Sequence, residues 1–421
     1  MAPSTSRSST SSLSRRILLV DADAFFVAVA RLVDPEGAGR ARLLIVGGAA
    51  GSRGVVCSAS YEVRQFGVRS AMPISRALRL CPEATCVPVP RGACGTKSRE
   101  IATVLERYAP VVQCASIDEW YLDLTGTEGV YAGRSLADVA MMIREAVRAE
   151  TGMHVSIGGG TSRLVAKLAV EYAKPKPDRA ANGIHVVPEG EEAKFMSRLT
   201  LAELPGVGPK SRERLDRVGL HSVADVLAHD IPTLSRLVGE REAHWLHERV
   251  RGIDSTVVSH RDVAKSISRE ETFERDVSSD EELDGELLRL VVRAASDLRG
   301  DGLAARTITV KLRDADFKTR QASRTLPSPV IADRVIFATA RSLLARLRRA
   351  RRVRARLLGV SLSSLDAADL EAQLSLFDAP SQTLETERDR ALAGAVDKLR
   401  AKFGKTAIVP GRLAKKPSPN V

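Results

Sequence analysis

Asp118 and Glu119 stand side by side between an apolar run (Val111, Val112, Ile117) and an aromatic one (Trp120, Tyr121, Leu122). Adjacent carboxylates repel, and neither residue favours a strand. "VVQCASI" and "WYLDL" read as two strands flanking a tight reversal, which places both acids at a hairpin tip on a sheet edge. A third carboxylate, Asp21, ends the buried-strand signal "RILLV". Two neighbouring strands therefore bring three carboxylates to one place. Uncompensated, such a cluster keeps some of its protons. Divalent cations remove the penalty: Mg²⁺ takes oxygen ligands in near-octahedral geometry, often one or two carboxylates plus substrate phosphates. Two such ions roughly 3.5–4 Å apart activate an attacking hydroxyl and stabilise a leaving pyrophosphate. Taken alone, the Asp-Glu pair is an ordinary pair of turn acids. The flanking strands and Asp21 turn the reading toward metal-assisted catalysis.

The elements that must hold these acids follow from the patterning. "RARLLIVGG" and "RGVVCSASY" are strands closed by small residues, and "HVSIGGGTS" is a strand running into glycine. Leu136, Val139, Ile143 and Val147 follow helical spacing, as do Leu164, Leu168 and Tyr172, whose helix stops near "AKPKP". Alternating strands and helices through about residue 188 indicate an α/β or α+β unit. Residues 189–256 are helical and carry "LPGVGPKSRERLDRVGL"; 257–264 read as a connector. A second mixed unit has strands near 265–273, 307–313, 318–325 and 357–363. One of its helices carries Leu283, Leu287, Leu290, Ala294 and Leu298 in register, and another spans about 331–348. That β-α-β-β-α-β order is a split βαβ pattern. From Asp366 the chain is polar except for "QLSLF". No internal repeats occur.

Composition narrows the partners. The chain has 421 residues, 44% of them hydrophobic, enough for more than one domain. No stretch reaches the roughly 18–20 apolar residues of a membrane helix. The Ser/Thr-rich start, "MAPSTSRSSTSSLSRR", reads as a disordered tail; "ILLV" is cut off by Asp21 too early for a secretory signal, so a cytoplasmic location is expected. Five cysteines without a C-x-x-C argue against zinc or a disulfide framework and for buried reduced thiols. A formal charge of +12 favours a polyanionic partner such as nucleic acid.

Six stretches in order carry a family resemblance: "VDADAFF", "SASYEVRQFGVRSAMP", "SIDEWYLDLTG", "AKPKP", "LPGVGPKSRERL" and "RTITVKLRDADFKT". Over roughly residues 16–410 the chain resembles the Y-family, translesion DNA polymerases of the DNA polymerase IV type. The resemblance implies an α+β multidomain right hand. It has a 1–15 disordered tail, a ferredoxin-like palm (16–23 and 91–188), small fingers (24–90) and a helical thumb (189–256) with a helix-hairpin-helix at 204–220. A linker (257–264), a βαββαβ little finger (265–365) and a C-terminal tail (366–421) complete it.

Site residues follow position by position. The resemblance makes Asp21, Asp118 and Glu119 the metal-binding and catalytic triad for two Mg²⁺, joined by the carbonyl of Ala22. Phe26 matches the steric gate, whose ring leaves no room for a 2′-hydroxyl; Phe25 is read as core and Asp23 as structural or supporting. Ser58, Tyr61, Arg64 and Lys174 match residues that hold the triphosphate, the guanidinium offering a planar fork and the hydroxyls donors. "LPGVGPK" is a helix-hairpin-helix signature in which Gly206 and Gly208 let backbone N–H groups approach a phosphate and Lys210 adds charge. A plain helical hairpin is the alternative. Period 2 puts Lys318, Arg320 and Arg324 on one strand face, read as phosphate contacts. Seven arginines between Arg346 and Arg356 read as DNA contact or as a solvated face. Gln373, Leu374, Leu376 and Phe377 match the peptide with which bacterial polymerases dock into the sliding clamp, here internal rather than terminal.

The implied activity is template-directed, low-fidelity DNA synthesis past damaged bases, with primer-template DNA, dNTPs and the clamp as partners, by a monomer without membrane attachment. Ala30, Cys94, Trp120 and an insertion at 176–182 depart from the family pattern without removing a metal ligand. One rival is a catalytically inactive homologue that recruits partners on DNA; another is a DNA-binding protein using only the hairpin motif. Intact Asp21, Asp118, Glu119 and Phe26 speak against both.

Overall fold

The computed structural model describes residues 14–175, 181–260, 264–368, 384–404 and 406–413. The chain divides into two compact units, residues 1–262 and 263–421.

The first unit begins with β1 (Ile17–Ala22), buried along its whole length as a central strand covered on both faces must be. Arg15, assigned to the tail, is pinned: its guanidinium donates to the carbonyls of Asp254 and Thr256. A turn through Ala24, in the left-handed region at φ 45°, leads into α1 (Phe25–Val33). Next comes a small sheet of β2 (Leu44–Gly47), β3 (Val56–Ala59) and β4 (Thr85–Val87), ordered β3-β2-β4. Between β3 and β4 lie α2 (Tyr61–Arg64) and α3 (Ile74–Leu80), packed on Ile45, Val56, Val63 and Ile74.

Then follow α4 (Arg91–Leu105), β5 (Val111–Cys114), β6 (Glu119–Asp123), α5 (Leu136–Thr151), β7 (Val155–Gly160), α6 (Arg163–Ala173) and β8 (Ile184–Val186). The large sheet runs β5-β6-β1-β7-β8. Without β8 it is a βαββαβ unit in the strand order of a ferredoxin-like fold. α6 lies directly on β7 because Gly158 has no side chain; a Cβ there would fall inside the helix backbone at Val170.

The helical part comprises α7 (Glu192–Met196), α8 (Pro209–Arg217), α9 (Val223–Leu227), α10 (Ile231–Val238) and α11 (Glu240–Arg249). They close over Leu204, Leu215, Val226, Leu234 and Leu246, a core continuous with Leu164 and Leu168 of α6. The connector expected at 257–264 is partly fastened down. Val258 packs with Ile17, Leu19 and Tyr121, and the Arg163 guanidinium donates to the Val257 carbonyl at 3.1 Å.

The second unit contains β9 (Ser266–Val277), α12 (Asp280–Gly300), β10 (Leu303–Asp314), β11 (Thr319–Val330), α13 (Asp333–Ala350) and β12 (Ala355–Ala367). Its antiparallel sheet is ordered β11-β10-β12-β9. Ile308, Val310, Leu312, Leu358, Val360 and Leu362 bury one face with residues of α12 and α13. The intervening positions Thr307, Thr309, Lys311, Ser361 and Ser363 form the other face, free of helices. The strands run longer than their apolar stretches suggest, since alternation on a half-exposed sheet is carried by hydroxyl residues. The tail expected from Asp366 is structured in part: Glu387–Phe403 forms a final helix, α14. Cys81 and Cys94 are buried as expected, but Cys57 and Cys114 are exposed, and no disulfide joins the five. Among the described residues no helix is long and apolar enough to cross a membrane.

Candidate active site

Strand pairing brings the acids together. β1 and β6 run antiparallel with Asp21 directly opposite Glu119. The Ala22 N–H donates to the Asp118 carbonyl at 2.9 Å, tying the hairpin turn to the end of β1. The turn closes where the Ala115 and Ser116 N–H groups donate to the Glu119 carbonyl at 2.9 and 3.2 Å. Asp118 is therefore in the turn, and Glu119 opens β6.

Each carboxylate has its own counterpart. Lys174 Nζ lies 2.9 Å from Asp21 Oδ2 and 2.8 Å from Glu171 Oε1. Lys167 pairs with Glu119, and the Ser116 hydroxyl donates to Asp118. Lys167 and Lys174 are two turns apart on α6 and its C-terminus, so both reach the same sheet edge. Among the described residues no three His, Cys, Asp or Glu side chains are gathered closely enough to hold a metal ion. The backbone makes the acids neighbours, while their side chains turn to separate cations and donors, as like charges do.

Burial dominates the electrostatics. Asp21 is 9% exposed. Its carboxyl is pushed up to about 7 by burial, against the pull of Lys174. Asp23 is likewise raised by burial, against the 2.8 Å hydrogen bond from Ser156 Oγ. For Lys174, burial works downward, but the Asp21 and Glu171 carboxylates prevail and hold the ammonium above its ordinary value.

A cleft of about 180 Å³ opens over this edge. From β1 and the hairpin it takes Asp21, Ala22 and Asp118; from α1, Phe26; from β3 and α2, Ser58, Tyr61 and Arg64; and from the end of α6, Lys174. Glu119 does not line it. Phe25 is core at 2% exposure, its ring edge-on to Phe26 at 5.5 Å. Arg64 sits with Cζ 4.8 Å from the Tyr61 ring centroid, and its Nε donates to the Ala59 carbonyl at 2.9 Å. Tyr61 is raised by burial, reinforced by Asp23. Sequence reasoning missed Lys167, Ser116, Cys57 and Ser70, the last two also lining the cleft. The seven-residue spacing of Lys167 and Lys174 was the available signal.

The departures from the family pattern are core positions. Trp120 is fully buried behind the acids, its indole N–H without a partner among the described residues. Cys94 packs in the same core, and Ala30 packs with Leu44 and Val46. Residues 176–180 of the insertion lie outside the described residues.

In the helical hairpin, Gly206 has φ +103°, and a Cβ there would come within 2.8 Å of the Trp245 ring. Gly208 is the N-cap of α8, with Pro209 at its first turn and Lys210 exposed.

The second unit corrects one reading. Lys318 sits in the turn before β11, and Arg320 and Arg324 pair with Leu312 and Ile308 on the face that the helices pack against, where Arg320 is half-buried and Arg324 stays exposed. Arg320 is spent inside the unit: its guanidinium binds the fully buried Asp314 at 2.9 Å and the Leu347 carbonyl. The helix-free face instead presents Lys311, Arg313, Thr319, Gln321 and Ser323. The arginine run also divides. Arg348 pairs with Asp280 and Arg351 with Asp314 and Asp316, while Arg346, Arg349 and Arg354 are exposed. Gln373, Leu374, Leu376 and Phe377 lie outside the described residues.

A ferredoxin-like sheet bearing the acids, a small sheet beside the cleft and a helical hairpin in the first unit, and a βαββαβ second unit, are the parts of a polymerase. Known proteins agree. Residues 20–171 match the impB/mucB/samB family, 264–376 its C-terminal domain, and 202–254 the DNA polymerase-iota thumb domain. A DNA polymerase IV of Dehalococcoides mccartyi is 37% identical over 398 residues, 94% of this chain and 97% of that one. One of Methanoculleus marisnigri is 40% identical over 357 residues, 84% of this chain and 95% of that one. A solved Y-family DNA polymerase chimera superimposes with a TM-score of 0.74 at 25% identity, covering 83% of this chain and 98% of the chimera. The chain belongs to the Y-family of DNA polymerases and is a DNA-directed DNA polymerase.

Proposed function

We propose that the chain carries out translesion synthesis: low-fidelity, two-metal nucleotidyl transfer from dNTP to a primer 3′-hydroxyl, opposite damaged as well as intact template bases. The observation that carries this reading is the meeting of Asp21, Asp118, Phe26, Tyr61, Arg64 and Lys174 at one cleft. Its donors suit a hard cation. They are carboxylate oxygens with the Ala22 backbone beside them, and a buried Asp21 carboxyl near 7 is one that lacks sufficient countercharge. Asp21, Asp118, Glu119 and the Ala22 carbonyl would hold two Mg²⁺, which supply an acidified primer hydroxyl and neutralise charge on the leaving pyrophosphate.

The chain's own groups do the rest. Arg64 and Lys174 grip the triphosphate by charge, Ser58 and Tyr61 by hydroxyl donation. Lys174 exchanges Asp21 for phosphate, and Lys167 releases Glu119, which frees both carboxylates for the ions. The Phe26 ring stands under the sugar and excludes a 2′-hydroxyl. Gly206, Gly208 and Lys210 hold DNA backbone through N–H groups and charge. On the helix-free face of the second unit, Arg313, Thr319 and Gln321 replace Arg320 and Arg324 as backbone contacts, with Lys318 beside them. Gln373, Leu374, Leu376 and Phe377 dock the enzyme, a monomer, onto the sliding clamp in the cytoplasm.

Primer extension with Mg²⁺ and dNTPs on intact and lesion-bearing templates tests the reading. Extension by the wild type that is abolished in Asp118→Ala is expected; identical inactivity of both proteins would return the inactive-homologue alternative.

A further inference from the structure

The turn that joins β10 to β11 holds an aromatic ring at a position whose backbone favours glycine. Phe317 has φ 65°, in the left-handed region. The other described non-glycine residues with positive φ are Ala24, Ala71, Ala132 and Ser364, all small, so Phe317 is the one bulky member. That conformation is costly for a bulky side chain and persists only where the surroundings enforce it. They do so here. The Phe317 N–H donates to the Asp314 carbonyl, and the Asp314 N–H to the Lys318 carbonyl, each at 2.9 Å. The Ala315 N–H donates to the Arg354 carbonyl, also at 2.9 Å. Fully buried Asp314 pairs with Arg320 and Arg351, and Arg351 reaches on to Asp316 at 2.8 Å. The ring that this bracing presents is not used by the core. Phe317 is 63% exposed, and the Arg356 guanidinium lies over the ring with Cζ 4.5 Å from its centroid.

We propose that Phe317 is a stacking platform for an unpaired base of the template strand; this adds a base contact to the backbone contacts proposed above for the second unit and rests on them. A DNA-directed polymerase carries single-stranded template beyond the primer end. Inside a duplex each base is already stacked on both faces, whereas an unpaired base has a face to offer, and an aromatic ring accepts any of the four. Charge suits the phosphates on either side of such a base. Lys318 and Arg354 are exposed and Arg313 is half-buried, while Asp314 and Asp316 are already paired with Arg320 and Arg351. Arg356 holds the ring by a cation–π contact, so little freedom is lost when a base settles on it.

The test compares the full-length wild type, Phe317→Gly and Phe317→Trp on a primer-template with a single-stranded 5′ overhang and on a blunt duplex of the same paired length. Phe317→Gly relieves the left-handed backbone, so its melting temperature should equal or exceed that of the wild type. It should nonetheless bind the overhang DNA about tenfold more weakly and the blunt duplex as before. Its salt slope should not change, because no phosphate cation is lost. Phe317→Trp should retain overhang binding. A 2-aminopurine moved along the overhang should change its fluorescence at one position on binding the wild type, and at none on binding the Gly variant. Wild-type affinity of Phe317→Gly on both DNAs, with Arg313→Ala weakened, overturns this proposal alone. Wild-type affinity of both variants overturns the backbone contacts of this unit with it. Equal losses on the two DNAs would assign the ring to the duplex and overturn the proposal. So would a lowered melting temperature with unchanged binding, which would make the ring a structural prop.

Discussion

The ammonium of Lys174 lies 2.9 Å from the Asp21 carboxylate, across 153 residues of chain, at the edge where Asp21 faces Glu119 in register. A cation already occupies the neighbourhood in which, on the proposed function, the acids would receive Mg²⁺ and Lys174 would meet the triphosphate, so metal, proton and nucleotide binding are expected to be coupled.

The coupling has a pH signature. Asp21 is raised from 3.8 to about 7, so between those values the fold holds its proton more tightly than the unfolded chain does. Stability of the metal-free protein should therefore fall as pH rises through this window. Mg²⁺ binds the ionised site and should raise the melting temperature more at pH 8 than at pH 5.5. Thermal melts in chelator and in Mg²⁺ across this range check it; Asp21→Asn should flatten both dependences.

The two lysines should separate kinetically. Lys174→Ala removes a phosphate cation and should raise KM for dNTP about tenfold or more. Lys167→Met releases Glu119 without touching the triphosphate, and should lower the Mg²⁺ concentration for half-maximal rate. Steady-state titrations of dNTP and Mg²⁺ distinguish them; equal effects of both variants on KM for dNTP would contradict the assignment.

Sugar discrimination should rest on Phe26. Phe26→Ala opens the space beneath the sugar and should raise ribonucleotide incorporation relative to dNTP by about a hundredfold, a pocket-shape effect of roughly 3 kcal/mol. Single-nucleotide insertion with paired rNTP and dNTP reads it directly. Phe25→Ala should instead destabilise the fold by about 3–5 kcal/mol, as loss of a core ring does.

The second unit predicts opposite outcomes for two arginines. Arg320→Ala withdraws one partner from buried Asp314 and should lower stability by about 1–3 kcal/mol, with Arg351 retaining part of the pairing. Its DNA affinity should change little. Arg313→Ala should leave the melting temperature unchanged, weaken DNA binding across all sequences, and reduce the salt slope by about 1. Denaturation and salt-dependent binding on both variants decide it.

Much of the candidate site's geometry was legible in the sequence, because its residues fall in short runs whose local physics is self-contained. A buried strand that ends in Asp21, a hairpin that must carry Asp118 and Glu119 at its tip, and a glycine pair around Val207 each declare a geometry within a dozen residues. The order β-α-β-β-α-β was readable in the second unit for the same reason; in the first the pattern gave only an α/β or α+β unit. What stayed hidden depends on which surface meets which. Period 2 states that Arg320 and Arg324 share a face, but only the packing of α12 and α13 on Ile308 and Leu312 decides that it is the covered one. The helical spacing of Leu392, Val396, Leu399 and Phe403 in α14 is present in the chain, yet its exposure is set by Arg299 and Arg334 drawing the neighbouring Asp397 and Asp389 inward. Local sequence determines periodicity and turn chemistry; contacts between distant segments determine orientation, since burial is a property of the neighbour as much as of the residue.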